Sequence, residues 1–348
     1  MSGKLGDLPP QSARLCLEVE KACHEALPSC NDATFLLALS GGMDSTAMAS
    51  IFSILAPRNG WRLHGLNINH GIRPEAQGDT EFTREMCSII GIEFHQDEFS
   101  APELAKELGM GLEEAGRKGR HAILESWRAK LGASHILLAH HLGDLCEDVL
   151  MRLIRGAGWP ALGGMRALSG KLFRPLLQVR RERLAEFLAS LDQDWREDLS
   201  NQDMAFRRNR IRAQAMPLLK MENPSVERSF SALHQLSLAD ELFWREYLEK
   251  ILEEHAIIEP DGVFGLSLIL PLSAVQSQPL AARLRLYHYA INKLPELFPC
   301  KSRPQAQFEK LVALDRAVMK SRGGKIFQFQ GALAAKLADG KISFILRD

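Results

Sequence analysis

The sequence predicts an α/β fold, in which a parallel sheet with helices on both faces is followed by a mostly helical second domain with a short β end. In the first half, short and continuously apolar runs alternate with longer amphipathic runs. This is the pattern expected of strands buried on both faces and of the helices that cover them. After about residue 217 helical spacing dominates, and a chain of 348 residues is long enough for two or three domains.

The elements of the first half follow one another as strand and helix. After a first helix at residues 13–27, strands are predicted at 34–39, 62–69, 92–96 and 135–139, and helices at 46–56, 77–90 and 111–131. This alternation implies right-handed crossovers, and the ligands of such sheets bind at the carboxyl ends of the strands. We therefore expect the chemistry just after Leu39, Asn69 and Ala139.

The second half has a different pattern. Residues 225–254 have the spacing of one long helix or two, residues 280–293 and 305–319 that of further helices, and residues 325–346 that of two short strands around Gly340. Pro217 and Pro224 interrupt the chain before these helices. The predicted segments are an N-terminal extension with a helix at 1–30, an α/β domain at 31–220 and a mainly helical domain at 221–348.

The composition excludes several classes of protein. Lys and Arg number 43, as do Asp and Glu, so a uniformly basic nucleic-acid coat is excluded, although a local basic face is not. No run has the character of a membrane span, and the start of the chain does not resemble a secretory signal. The six cysteines form no C-x-x-C pair, which favours small buried side chains in a reducing compartment. We therefore expect a cytoplasmic protein.

The strongest local signal is the segment 40–45, Ser-Gly-Gly-Met-Asp-Ser, between the strand at 34–39 and a helix. Adjacent glycines let the backbone approach a ligand, and hydroxyls with free amides at a helix start bind anions. Asp44 suits this loop if a cation such as Mg²⁺ lies between it and a phosphate. The alternative is an ordinary strand-to-helix turn capped by Asp44 or Ser45. The P-loop motif of the common NTPases does not occur in the sequence.

Several further blocks, together with this loop, resemble the tRNA(Ile)-lysidine synthetases of the PP-loop ATPase superfamily. In chain order they are 69–73 (NHGIR), 114–117 (EAGR) with Arg120, 139–141 (AHH) with Asp144 and Glu147, 174–177 (RPLL), 195–198 (WRED), 200–203 (SNQD) and 208–212 (RNRIR). The blocks occur in the family's order over about residues 34–220, and the rest of the chain is similar more loosely.

The resemblance implies a PP-loop ATPase fold, like that of the adenine nucleotide alpha hydrolases, and a two-step ligation. ATP would adenylate the C2 oxygen of cytidine 34 in the CAU anticodon of an isoleucine tRNA. The amine of free L-lysine would then displace AMP and leave lysidine. The implied cofactors are ATP and Mg²⁺, and the partners are tRNA(Ile) and lysine, with a homodimer left open. The domain at 221–348 would bind substrate or tRNA.

The resemblance also implies roles for residues. ATP would be bound by Ser40, Gly41, Gly42, Met43, Asp44 and Ser45, and catalysis would involve Asp44, Asp144, Arg117, Arg208 and His140. Mg²⁺ would be held by Asp44, Asp144 and Glu147, although the acids after His141 could instead receive the lysine amine. The tRNA would be contacted by Arg73, Arg210 and Arg212. Arg210 and Arg212 end the stretch 152–212, which has 13 Lys or Arg against 7 Asp or Glu. Such a basic stripe suits tRNA phosphates.

One position departs from the family. Relatives have two adjacent Asp residues after the two histidines, whereas this chain has Gly143 and Asp144 and gains Asp148. Asp148 could replace the lost carboxylate, and His141 is as consistent with a structural role as with a site. Two alternatives therefore stay open: a PP-loop thiolase, which would need paired cysteines such as Cys87 with Cys146, and an inactive paralogue that only binds tRNA.

Overall fold

The computed structural model describes residues 4–69, 76–196, 204, 206–262, 265–298, 300, 304, 306–321 and 323–347. By its contacts the chain divides into two compact units, Met1–Ser237 and Leu238–Asp348. The sequence suggests a boundary near residues 217–224, and the division at Ser237 falls further along, inside a long helix.

The first unit is built on a six-stranded sheet. Its strands are β1 Thr34–Ala38, β2 Arg62–Asn69, β3 Glu93–Glu98, β4 His135–Leu137, β5 Leu168–Ser169 and β6 Leu172–Phe173. Their order is β3-β2-β1-β4-β6-β5, and all neighbours are parallel except β5 and β6. The predicted parallel sheet is thereby confirmed, and the β5–β6 hairpin is an addition that the sequence analysis did not predict.

Helices connect these strands. They are α1 Pro10–Ala26, α2 Met43–Asn59, α3 Ala76–Ile90, α4 Ala101–Leu108, α5 Leu112–Lys130, α6 Leu142–Ile154 and α7 Arg181–Ser190, followed by α8 Arg207–Arg210, a π-helical turn Ile211–Ala215 and α9 Met216–Glu222. Helix α1 begins three residues before the predicted start because a proline fits the first helical position. Helix α4 was not predicted, although the Ser100 side chain caps it by accepting a hydrogen bond from the Glu103 amide.

Alternate residues of β1 face the two sides of the sheet. Phe35 and Leu37 belong to a core cluster that includes Phe52 of α2. Leu36 belongs to a separate cluster on the other face, together with Leu124 of α5. The central strand is therefore buried on both faces, as its apolar sequence predicts, and the polar residues of a site are confined to the strand ends.

The second unit combines helices with a five-stranded antiparallel sheet. Its elements are α10 Val226–His255, whose first turns belong to the first unit, β7 Ile257–Pro260, β8 Gly265–Pro271, α11 Leu272–Gln276, α12 Leu280–Leu297, α13 Phe308–Met319, β9 Lys325–Gln328, β10 Leu333–Ala338 and β11 Lys341–Arg347. The sheet order is β7-β8-β11-β10-β9. Helices α10, α12 and α13 and the hairpin around Gly340 agree with the sequence analysis. Elements β7, β8 and α11 were not predicted, and the chain from residue 325 to 347 forms three strands where two were predicted. None of the described helices combines the length and apolar character needed to cross a bilayer.

Candidate active site

The loop after β1 has a backbone that only glycine adopts easily. Gly41 has φ +78°, and a Cβ atom there would lie 3.0 Å from the Thr83 hydroxyl. Gly42 is the N-cap of α2 and offers no side chain to the first amides of that helix. These amides have no intrahelical acceptors, so together with the helix dipole they form an anion site.

Hydroxyl groups line the same loop. The Ser45 hydroxyl donates to the Gly42 carbonyl at 3.0 Å, and the Ser40 amide donates to the Ser45 oxygen at 3.2 Å. The hydroxyls of Ser40 and Ser45 also lie 3.2 Å apart. The loop therefore has a defined shape before any ligand binds.

Residues of neighbouring segments donate hydrogen bonds to backbone carbonyls of this loop and of the residue before it. The Arg196 amide donates to the Gly41 carbonyl at 2.9 Å, and the Asn67 side chain donates to the Leu39 carbonyl at 2.9 Å. The Thr80 hydroxyl in turn donates to Asn67 at 2.8 Å. Residues of β2 and α3 thus fix the carboxyl end of β1, as expected for a ligand site at that edge.

Asp44 is the carboxylate of the loop, and its Oδ1 is buried without a hydrogen-bond donor among the described residues. The nearest nitrogen groups are Arg181, with Nε 3.6 Å from Oδ1, and His141, with Nε2 3.8 Å from Oδ2. Burial raises the pKa of Asp44, and His141 and Arg181 only partly oppose it. A buried oxygen without a donor is a suitable ligand for a hard cation, so this residue fits the predicted Mg²⁺.

His141 caps helix α6 and faces the loop. Its Nδ1 accepts from the Gly143 amide at 3.0 Å, while Asp144 Oδ2 accepts from the His141 amide at 2.9 Å. In the neutral ring this acceptor role assigns the proton to Nε2, which lies 3.6 Å from Asp144 Oδ2 and 3.8 Å from Asp44 Oδ2. His141 therefore lies between the two aspartates, a position that the sequence analysis left undecided. The signal was the capping pattern of His141 with Asp144 three residues later.

Two arginines and two carboxylates form a compact cluster, here called the α6–α8 cluster: Asp144, Glu147, Arg208 and Arg212. Arg208 donates to Asp144 at 2.7 Å and to Glu147 at 2.7 Å. Arg212 donates to Glu147 at 2.5 Å and to Asp144 at 3.1 Å. Each arginine thus bridges both carboxylates, the geometry that a guanidinium fork allows.

The α6–α8 cluster keeps its charges. Burial raises the pKa of Asp144, but His141 and Arg208 outweigh burial, so the net shift is downward. Burial lowers the pKa of Arg208, and Asp144 and Glu147 reverse the direction. Arg212 lies in the π-helical turn, a rare element that is frequent at functional sites.

His140 stays neutral next to this cluster. Its Nδ1 accepts from Arg174 Nε at 3.1 Å, which assigns the proton of the neutral ring to Nε2. Burial lowers the pKa of His140 to about 3, and Asp144 opposes this shift only in part. His140 can therefore donate a hydrogen bond from Nε2 at neutral pH, but it cannot supply a positive charge.

Further arginines give the region an excess of positive charge. Arg117 is exposed on α5, and the half-buried Arg120 makes no hydrogen bond or ion pair among the described residues. Burial and the charges of Arg208 and Arg117 lower the pKa of Arg120, so these three guanidinium groups lie close enough to repel one another. Such an arrangement is stabilised when an anion binds.

Of the remaining residues named in the sequence analysis, one is not described and two have other bonding partners. Arg73 is outside the described residues, as are the blocks at 70–73 and 197–203. Arg210 donates to the Met204 carbonyl at 2.8 Å. Asp148 accepts from Arg152 at 2.7 Å, and its charge also raises the pKa of Arg208 in the α6–α8 cluster. Its replacement of the carboxylate missing at position 143 stays a prediction.

Comparison with known proteins identifies the family of the chain. A family model described as a PP-loop domain matches residues 15–219, which include every element of the site. The chain is 38% identical to the tRNA(Ile)-lysidine synthase of Nitratidesulfovibrio vulgaris over 89% of this chain and 91% of that protein. The chain belongs to the tRNA(Ile)-lysidine synthase family. Within this family it is also 33% identical to the synthase of Geobacter sulfurreducens and 30% identical to that of Petrotoga mobilis, of which it spans 54% and 72%.

Among solved structures the fold resembles a U34-tRNA thiolase of Methanococcus maripaludis with a [4Fe-4S] cluster. The TM-score is 0.54 and the identity 18%, over 64% of this chain and 80% of that one, so the similarity concerns the fold alone. Here Cys87 and Cys146 belong to different core clusters. Burial raises the pKa of each thiol to about 12, which disfavours the thiolate that sulfur chemistry needs.

Proposed function

We propose that the protein ligates L-lysine to C2 of cytidine 34 in the CAU anticodon of tRNA(Ile), with ATP converted to AMP and pyrophosphate. Membership of the synthase family and of the PP-loop domain, which implies ATP binding, supports the reaction class. The observation that carries the proposal is the position of His141, within 4 Å of Asp44 in the phosphate loop and of Asp144 in the α6–α8 cluster. His141 thus connects the anion site of the phosphate loop with the arginines and carboxylates of the α6–α8 cluster.

The loop would hold the triphosphate. The first amides of α2 and the hydroxyls of Ser40 and Ser45 would donate to phosphate oxygens, as helix starts commonly do. Asp44 would hold Mg²⁺, which neutralises phosphate charge when bound. Asp144 and Glu147 already accept hydrogen bonds from two arginines, so the proposal assigns the metal to Asp44 first.

In the first step the C2 oxygen of the cytidine would attack the α-phosphorus, and the bond to the leaving pyrophosphate would break. An amide-like oxygen is a weak nucleophile, so negative charge on the α-phosphate has to be offset. Arg117, Arg120 and Arg208 are the positive groups for this role, and the unpaired Arg120 is the one most in need of an anion. His140 Nε2 would donate a neutral hydrogen bond nearby.

In the second step the lysine amine would attack C2, AMP would leave with the former C2 oxygen, and the amine would lose a proton. We assign the proton acceptor to Asp144. Its Oδ1 accepts from both arginines, while Oδ2 accepts the His141 amide and keeps a further lone pair. Nδ1 of His141 already accepts from the Gly143 amide, so its Nε2 faces the two aspartates as a donor.

The experiment is incorporation of radiolabelled lysine into an isoleucine tRNA transcript with a CAU anticodon, with ATP and Mg²⁺ present or omitted. A methionine tRNA transcript, which has the same anticodon, is the control. We expect label only in the isoleucine tRNA and only with ATP. Tight tRNA binding without label would contradict the proposal and favour the inactive paralogue. Binding of tRNA by residues 221–348, cytoplasmic location and a homodimer remain predictions.

A further inference from the structure

A second group of ligand-type side chains lies at the opposite end of strand β2. His64 is the third residue of β2, and Glu93 and His95 are the first and third residues of β3. His64 pairs with Glu93 and Leu66 with His95 in the parallel register, so the three side chains share one face of the sheet. From His64 to Asn69, where β2 reaches the active-site edge, the strand rises about 16 Å. The group is therefore separate from the phosphate loop.

The distances within this group match those around one metal ion. His64 Nδ1 lies 3.1 Å from His95 Nε2 and 3.3 Å from Glu93 Oε2. The other carboxylate oxygen, Glu93 Oε1, lies 3.5 Å from His95 Nε2. Zinc binds nitrogen and oxygen at about 2.0–2.1 Å in tetrahedral geometry, which separates neighbouring ligand atoms by about 3.3 Å. The three separations lie on either side of this value. One ligand atom from each of the three residues lies within 4.8 Å of the other two.

The two rings are held in place by their surroundings. The side chains of His64 and His95 are 15% and 14% exposed, and their rings stack with centroids 5.3 Å apart. The Trp127 ring lies 4.8 Å from His95, and its Nε1 donates to Asp97 at 2.6 Å. Preoriented rings reduce the entropy that metal binding would otherwise cost.

We propose that His64, Glu93 and His95 form a binding site for a transition-metal ion of the Zn²⁺ class. Three protein ligands leave the fourth position to water, on the side where the Glu93 side chain is 65% exposed. Strand β3 is the edge of the six-stranded sheet, so a metal shared by β2 and β3 links the edge strand to its neighbour. Imidazole and carboxylate ligands without sulfur distinguish this site from the phosphate loop, whose oxygen ligands suit Mg²⁺.

The test is calorimetric titration of the full chain with Zn²⁺ in buffer containing millimolar Mg²⁺. Glu93→Gln removes an exposed ligand and His64→Gln removes a second, while His255→Gln, in the other unit, is the matched control. We expect one equivalent of Zn²⁺ to bind to the wild type and to His255→Gln, with at least about tenfold weaker binding in both site variants.

Co²⁺ provides a second readout that identifies the ligands. Bound at this site it gives visible bands of a four-coordinate nitrogen and oxygen complex, without the near-ultraviolet charge transfer of a cobalt–thiolate bond. Unchanged Zn²⁺ affinity in Glu93→Gln and His64→Gln, or a thiolate spectrum, overturns the proposal.

Discussion

Two regions of the molecule place arginine against carboxylate, with different results. In the second unit Arg283 donates to both oxygens of Asp315 at 2.7 and 3.0 Å, and Tyr287 donates to the same carboxylate at 3.0 Å. Both members of this ion pair therefore have direct partners. In the first unit the α6–α8 cluster is equally well bonded, but Asp44 Oδ1 and the Arg120 guanidinium lack hydrogen-bond partners among the described residues.

This difference in hydrogen bonding distinguishes a structural ion pair from a candidate ligand-binding site. The Arg283–Asp315 pair is closed, with side chains only 11% and 9% exposed, so it can do no more than stabilise its unit. In the first unit Asp44 Oδ1 has Arg181 3.6 Å away but no hydrogen bond, and Arg120 has neither a hydrogen bond nor an ion pair among the described residues. Charges left without partners cost stability, and they persist where a ligand supplies the missing partner. Saturation of hydrogen bonds thus distinguishes the two regions better than charge does.

The largest effect on stability is expected for Asp315→Ala. Removing this carboxylate leaves the Arg283 guanidinium buried and unpaired, which should lower the free energy of unfolding by about 3–5 kcal/mol. Chemical denaturation, monitored by a probe in the second unit, measures this loss. ATP binding by the first unit should persist below the transition. If Asp315→Ala is as stable as the wild type, the pair is not the structural element described above.

For Asp44→Asn we expect a large loss of activity with little change in stability. The variant keeps the shape of the side chain but loses the charge that would hold Mg²⁺, so lysine incorporation should fall by about 10²–10³-fold. Because burial already raises the pKa of Asp44, the neutral Asn should leave stability unchanged or slightly higher. Turnover and thermal unfolding are measured on the same preparation. Near-normal turnover would contradict the metal-binding role.

Arg208→Lys tests whether the fork geometry matters beyond charge. Lysine cannot reach Asp144 and Glu147 with the two separate donors that Arg208 uses, so the α6–α8 cluster should loosen. We expect a rate about 10²-fold lower with little change in tRNA affinity, because a small misplacement of a positive group is costly in the transition state. Single-turnover rates and filter binding separate the two quantities. A loss confined to affinity would make Arg208 a tRNA contact instead.

The smallest effect is expected for Gly143→Ala. An added Cβ would lie 2.7 Å from His141 Cε1, so the ring must leave its position against the Gly143 amide. Loss of this one hydrogen bond should reduce the rate by about tenfold. Gly143→Asp adds the same Cβ together with the carboxylate expected at this position from the resemblance to the family. If the Asp variant exceeds the wild type while Ala does not, the carboxylate matters more than the position of His141.

The sequence by itself determined the local chemistry. The apolar run at 34–39 predicted a buried strand, and the glycine pair at 41 and 42 predicted a loop at its carboxyl end, because both depend on neighbouring residues. The alternation of strand and helix was sufficient for the parallel sheet. Strand β8 was missed, and its pairing with β11 joins residues 265–271 to residues 341–347, a contact that local spacing does not reveal.

Only the tertiary structure decided which charges meet. Arg208 and Arg212 lie more than 60 residues from Asp144 and Glu147, and no periodicity in the sequence connects them. Asp148 illustrates the converse, since its partner Arg152 is one helical turn away and could be foreseen from the i, i+4 spacing. His64, Glu93 and His95 meet because two parallel strands pair in one register. Local spacing fixes each side chain on its own element, and the packing of elements, driven by burial of their apolar faces, selects its partners.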